Sequence, residues 1–157
     1  MLAVLFVCLG NICRSPTAEA VFRHLAAEHR VPVVVSSAGT SASHRGEPAD
    51  PRSQKAAERY SFKGIHSKPV KDSDFEQFDL ILAMDKANER DLLRRCPEHL
   101  RYKIRRLTEF HPQSADIHEV PDPYYGGPKG FQVVLSIIEQ SCFGLLNHLM
   151  QPEQQPR

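Results

Sequence analysis

Residues 2–8, LAVLFVC, form an apolar run with no water-seeking side chain on either of its two alternating faces. Such a strand has to be covered on both sides, which an antiparallel sheet with one wet face does not provide. It therefore points to the interior of an α/β sheet. The residues that follow are just as restrictive. LGNICR is a short loop, and Ser15-Pro16 then supplies an N-cap and a proline at the first helical position of SPTAEAVFRHLAAEHR.

The same alternation continues along the chain. VPVVVSSAG is a second strand rich in β-branched residues, and SASHRGEPA is a loop. Asp50-Pro51 repeats the cap-plus-proline signal and opens a helix over PRSQKAAERYS. FDLILAMD is a third buried strand, Asp85 caps the helix KANERDLLRRC, and YKIRRL is a fourth strand. Residues 110–130, with four prolines and three glycines, read as one long irregular loop. GFQVVLSIIEQSCFGLLNHLM is the closing helix. Strand alternating with helix predicts a parallel sheet of about four strands with right-handed crossovers. Ligands of such sheets sit at the carboxyl ends of the strands, which is where residues 8–15 emerge.

At 157 residues the chain is sized for one domain, expected over residues 1–150, with a flexible polar tail at 151–157. A formal net charge of +1 gives no global attraction for nucleic acid or a membrane surface, so neither partner is expected. The basic run RRCPEHLRYKIRR, residues 94–106, reads as a solvated helix end and strand face. No apolar stretch reaches the roughly 18 residues of a spanning helix, and the first strand lacks the flanks of a signal peptide. The cysteines at 8, 13, 96 and 142 have neither zinc-ligand spacing nor the density of a disulfide scaffold. No metal is expected, and a reduced, cytoplasmic protein fits.

Five residues separate Cys8 from Arg14. A tight loop between a strand end and a helix N-terminus turns successive backbone N–H groups inward, and the helix dipole adds to their field. Leu9, Gly10, Asn11, Ile12, Cys13, Arg14 and Ser15 thus form a nest for inorganic phosphate or another oxyanion. Gly10 allows close backbone approach or positive φ, Asn11 tolerates left-handed geometry, and Arg14 offers a planar fork. Cys8 lies at the floor. A thiol beside a helix N-terminus and a cation is drawn toward its thiolate, and a thiolate aimed at phosphorus yields a phosphocysteine. Ser15 can donate to that sulfur as it leaves. The Cys-to-Arg spacing alone recurs by chance, and a strand-end cysteine can be inert packing. The preceding strand, Gly10, Asn11 and the Ser-Pro helix start, all in register, are what set this loop apart. No Gly-Lys-Ser/Thr follows, so it is not a Walker loop.

Ester cleavage needs a proton for the departing oxygen, and hydrolysis of the intermediate needs a base for water; one carboxyl can do both in turn. The candidate is Asp122 in VPDPYYGGPKG, stiffened by Pro121 and Pro123 and followed by Tyr124 and Tyr125 as pocket walls. Asp-Pro is also a common turn opener; it is the loop at Cys8 that favours the acid. Asp85 and Asp91 look like a helix cap and a helix-face charge.

Taken together, VCLGNICRSPTAEAVF, SSAGT, FDLILAMDKANERDLL and VPDPYYGG resemble the low-molecular-weight protein-tyrosine phosphatases, over essentially Leu2 to Leu149. The resemblance implies a three-layer, flavodoxin-like fold with a central four-stranded parallel sheet flanked by helices. It implies hydrolysis of phosphotyrosine and aryl phosphates through a cysteinyl-phosphate, with no metal or cofactor. Phosphotyrosine-bearing proteins are the implied partners, a tyrosine kinase one candidate among them. By motif position Cys8 is the nucleophile, Arg14 the phosphate clamp and Asp122 the general acid, then base. Asn11, Ser15, Ser37 and a histidine hold the loop's shape; His66 is that histidine by order, a surface or core position being the alternative.

Leu9, Ser43, His44, Tyr124 and Tyr125 make the implied pocket wall. Family members often carry an aromatic residue where Ser43 stands here, a difference that bears on substrate preference rather than chemistry. The resemblance also implies a reversible Cys8–Cys13 disulfide, the alternative being that Cys13 simply fills the underside of the loop. An arsenate reductase would share fold and loop, but Cys96 and Cys142 are poorly placed to relay a disulfide. A binding-only module should have lost the nucleophile or the acid, and both are present.

Overall fold

The computed structural model describes residues 1–124 and 127–151. Four strands, β1 (Leu2–Cys8), β2 (Val33–Gly39), β3 (Leu80–Ala83) and β4 (Ile104–Arg106), form one sheet in the order β2-β1-β3-β4. All pairings are parallel, with Cys8 opposite Gly39 on one side and Val7 opposite Ala83 on the other. The chain moves outward from β1 to β2 and then crosses back to β3, so the carboxyl end of β1 is the switch point of the sheet. The helices are α1 (Arg14–Glu28), α2 (Pro51–Ala56), α3 (Asp74–Gln77), α4 (Lys86–Arg95) and α5 (Pro128–Met150). This is the three-layer, flavodoxin-like architecture.

Period-two alternation divides β1 between two cores. Val4, Phe6 and Cys8 face α1 and α5, packing with Val21, Phe22, Ile138 and Leu145. Leu5 and Val7 face the other way, with Phe75 of α3 and Leu92 of α4. Burying each such side chain contributes about 1.5–3 kcal/mol. The strand that carries the candidate nucleophile is therefore held by both layers at once.

Several boundaries differ from expectation. Helix α1 starts at Arg14 with Cys13 as its N-cap, and no side chain caps it. Ser15 is not the cap, because its hydroxyl is engaged by Cys8 and Asn11. No side chain then competes for the first-turn N–H groups. Helix α2 keeps its Asp50 cap but stops at Ala56 instead of running to Ser61, since Tyr60 turns back into the core against His24. The fourth strand is only three residues long, and the one-turn helix α3 has no clear signal in the sequence.

Helix α5 begins at Pro128 rather than Gly130, with the proline at its start. Among the described residues it is the one helix long and apolar enough to cross a bilayer, which corrects the expectation that no stretch qualifies. Its polar residues interrupt the run without spoiling the average. Its stripe of Phe131, Val134, Ile138, Cys142 and Leu145 is buried in the core. The basic run at 94–106 resolves into local pairs: Arg95 with Asp72, Arg105 with Glu109, and Lys103 Nζ donating to the carbonyls of Phe75 and Glu76.

Candidate active site

Residues 8–15 wrap around the sulfur of Cys8. The backbone N–H of Asn11 points at Sγ across 3.3 Å, and Ser15 Oγ lies 3.0 Å from it. Asn11 takes the left-handed conformation at φ 56° and its side chain locks it there. Asn11 Nδ2 donates to Ser15 Oγ at 2.7 Å and to Ser37 Oγ at 3.0 Å, while Oδ1 accepts from the Lys68 N–H at 3.0 Å. The amide has thus placed both donors and its acceptor, which fixes which way it is turned. Ser15 Oγ accepts from Asn11, and its own proton has two acceptors in reach, Cys8 Sγ at 3.0 Å and the Ala38 carbonyl at 3.5 Å. Gly10 supplies close approach instead of positive φ: a Cβ there would sit 2.9 Å from His44 Cδ2.

The loop's outer support contains residues the sequence reading missed. Ser37 donates to Glu19 Oε1 at 2.6 Å, and Glu19 in turn pairs with Arg23. Ser67 donates to the Gly10 carbonyl at 2.9 Å. Glu19 lies four residues after Ser15 on α1, so helical spacing was the available signal. Ser67 and Lys68 approach from a segment whose nearness to the loop has no local signature. His66, expected among the supports, is exposed, and the two residues that follow it, Ser67 and Lys68, make the contacts in its place. His66 pairs through its backbone with Pro48, and its flanking residues Ile65 and Ser67 are buried while it is not.

Arg14 is 2% exposed. Its Nη1 donates to Asp85 Oδ2 at 2.7 Å and to the Val120 carbonyl at 2.8 Å. Burial opposes the guanidinium charge, but Cys8, Asp85 and Asp122 outweigh it and push the Arg14 pKa up. Asp85 still caps α4 through the Asn88 N–H, so one carboxylate both starts a helix and aims the arginine. It stands just beyond β3, the neighbour of β1, and that position at the carboxyl edge was its readable signal.

The segment with Asp122 is tied down beside it. Val120 is fully buried and its N–H donates to the Met84 carbonyl at 2.8 Å, while Glu119 accepts from the Lys86 N–H at 2.7 Å. These anchors bring Asp122 Oδ2 to 3.6 Å from Arg14 Nη2. Its other oxygen accepts from the Tyr124 N–H at 3.0 Å. Asp91, by contrast, pairs with Arg94 on the surface of α4. Cys8, Arg14 and Asp122, together with Leu9, Gly10, Ile12, Cys13, Ser43, His44 and Tyr124, line one recess of about 200 Å³.

The family model for the low molecular weight phosphotyrosine protein phosphatases matches residues 3–155. The chain belongs to that family. It is 41% identical to the low molecular weight phosphotyrosine protein phosphatase of Homo sapiens over 92% of this chain and 93% of that one. It is 39% identical to the protein-tyrosine-phosphatase YfkJ of Bacillus subtilis over 98% and 99%. A crystal structure of an Entamoeba histolytica protein tyrosine phosphatase with Hepes in the active site superposes with a TM-score of 0.90. It is 45% identical and covers 95% of this chain and 97% of that chain.

In this low-molecular-weight phosphatase the mouth of the pocket carries no aromatic ring at position 43. Ser43 lines it without an aromatic ring, and His44 stands beside it, its Nδ1 2.9 Å from Glu47 and its ring 6.2 Å from that of Tyr124. Tyr125, the other expected wall, lies outside the described residues. Arg52 braces Tyr124, its guanidinium 5.3 Å from that ring and 4.7 Å from the ring of Phe131. Cys13 is buried against Ile12 and Phe131. Burial above all, then the negative charges of Asp50, Cys8 and Asp122, push its thiol pKa up to about 12, against a hydrogen bond to Ser53. Cys8 and Cys13 are both buried free thiols.

Proposed function

We propose that this phosphatase hydrolyses phosphotyrosine in proteins, and aryl phosphates generally, through a cysteinyl-phosphate on Cys8 with no metal taking part. The observation that carries the reading is the convergence of Cys8, the loop that follows it, Arg14 and Asp122 on one small recess. Asp85 and Val120 use both hydrogens of Arg14 Nη1, which leaves Nε and Nη2 as the edge that grips two phosphate oxygens. Cys8 Sγ attacks phosphorus, the P–O bond to the phenol breaks, and Asp122 gives its proton to the departing oxygen. Asp122, now a carboxylate, takes a proton from the water that attacks the phosphocysteine. The S–P bond breaks, Ser15 donates to the released sulfur, and phosphate leaves. A reducing cytoplasmic setting, which keeps Cys8 a free thiol, suits this chemistry.

The test is an acid quench during turnover of p-nitrophenyl phosphate in a chelating buffer, followed by peptide mass analysis. One phosphoryl group is expected on the peptide containing Cys8. Rapid turnover with that peptide unmodified at every quench time would sink the covalent route.

Arg14→Lys keeps the charge and loses the fork. A lysine cannot at once reach Asp85, the Val120 carbonyl and two phosphate oxygens. The expected loss in kcat is about 10²–10³-fold, the scale of removing a positioned transition-state donor. Steady-state kinetics on p-nitrophenyl phosphate decide the point, and near-normal values contradict bidentate binding.

A further inference from the structure

Immediately beside the catalytic recess is a second one, of about 520 Å³, with Phe131 and Ala56 as its floor, Pro128 on its rim and Arg52, Lys55 and Lys129 around it. Among the described residues no carboxylate lines it. Arg52 is neutralised by Asp50, to which it donates from Nε at 3.1 Å and Nη2 at 2.9 Å. Lys55 and Lys129 have no ion-pair partner among the described residues. Lys129 also occupies the first turn of the 23-residue α5, and that turn has no acidic residue to offset the helix dipole. A cation there works against the helix that carries it. In a chain of net charge +1, this is a local concentration of positive potential over an apolar floor.

The two recesses share a partition. Phe131 packs on Ile12 and Cys13 of the catalytic loop, and the Arg52 guanidinium bridges the rings of Tyr124 and Phe131. From Tyr124 at the catalytic mouth to Phe131 on the neighbouring floor is two steps, of 5.3 Å and 4.7 Å. An extended chain covers that span in about three residues. Building on the phosphotyrosine reading above, we propose that this recess is a substrate subsite. It takes an aspartate or glutamate within about three residues of the phosphotyrosine, with Lys55 and Lys129 receiving the carboxylate and Phe131 the stem. The preferred substrate class is phosphotyrosine in an acidic segment.

The experiment compares kcat/KM on phosphotyrosine peptides of one length carrying Glu, Ala or Lys in the flanking three positions, at low ionic strength. The enzymes are the wild type and the double variant Lys55→Glu with Lys129→Glu, and p-nitrophenyl phosphate serves as the flankless control. For the wild type, Glu peptides are expected to exceed Lys peptides by about five- to tenfold, the scale of one or two exposed charge pairs. The order should invert in the double variant and flatten in high salt, with kcat/KM on p-nitrophenyl phosphate unchanged throughout. Equal wild-type values across the peptides, or an order the double variant leaves intact, would overturn the subsite alone. So would an acidic residue that helps just as much when moved far along the peptide, which is long-range steering. Absence of wild-type turnover on p-nitrophenyl phosphate would instead remove the phosphatase reading, and the subsite with it.

Discussion

Cys8→Ser is expected to lower kcat on p-nitrophenyl phosphate by at least about 10⁴-fold, the scale of losing a nucleophile that forms a covalent intermediate. The change is nearly isosteric at a residue 3% exposed, and the hydroxyl inherits the Asn11 N–H and Ser15 Oγ as neighbours. What it lacks is the sulfur's ability to carry negative charge and attack. The loop backbone and Arg14, proposed to hold the anion, are untouched. Inorganic phosphate should therefore still raise the thermal midpoint of the variant, by mass action on the folded state. The informative pattern is lost turnover with phosphate binding kept. Turnover that survives would mean water attacks the ester directly and that Cys8 is packing.

Asp122→Ala should cut kcat on phosphotyrosine peptides by about 10²–10⁴-fold, the usual contribution of a positioned general acid. The penalty should shrink steeply for esters of acidic phenols, whose oxygens leave without a proton. The segment's anchors run through Val120 and Glu119, and the prolines on either side are kept, so the backbone has little reason to move. The variant does give up an accepted hydrogen bond from the Tyr124 N–H and a charge 3.6 Å from Arg14. Asp122→Asn, which keeps an acceptor but cannot transfer the proton, separates these effects. Rate ratios measured across a series of substituted phenyl phosphates are the readout. A uniform slowing, independent of the leaving group, would assign Asp122 to holding Arg14 or Tyr124 and not to proton transfer.

What is legible in one dimension depends on the range of the interactions. Positions 2–15 could be read directly, because strand, loop and helix start are contiguous and each leaves a local mark. The apolar alternation, Gly10, the left-handed Asn11 and the Asp50 and Asp85 caps all belong to this class. Where the reading slipped locally, a tertiary contact had claimed a side chain. Ser15 gave up capping α1 for the sulfur of Cys8, and Tyr60 ended α2 early to fill the core. The loop's outer shell was largely invisible in one dimension. Ser67 and Lys68 stand more than fifty positions from Asn11, and no residue type is required of a backbone N–H that merely donates. Ser43 was legible as a pocket-mouth position without a ring, but the arginine stacked on Tyr124 was not.

By itself, then, the order of residues determined the α/β architecture and pointed to the family, and it singled out Cys8, Arg14 and Asp122 as the proposed nucleophile, clamp and acid. Each depends on a pattern of neighbouring side chains or on a set of motifs. Only the folded chain decided how these meet: that Asp85 and Val120 hold one edge of Arg14, that buried Val120 carries Asp122 to its place, and that a cationic recess lies next to the pocket. Those arrangements join residues tens of positions apart, and their geometry comes from the packing of both helical layers onto β1 and β3, which no stretch of sequence specifies alone.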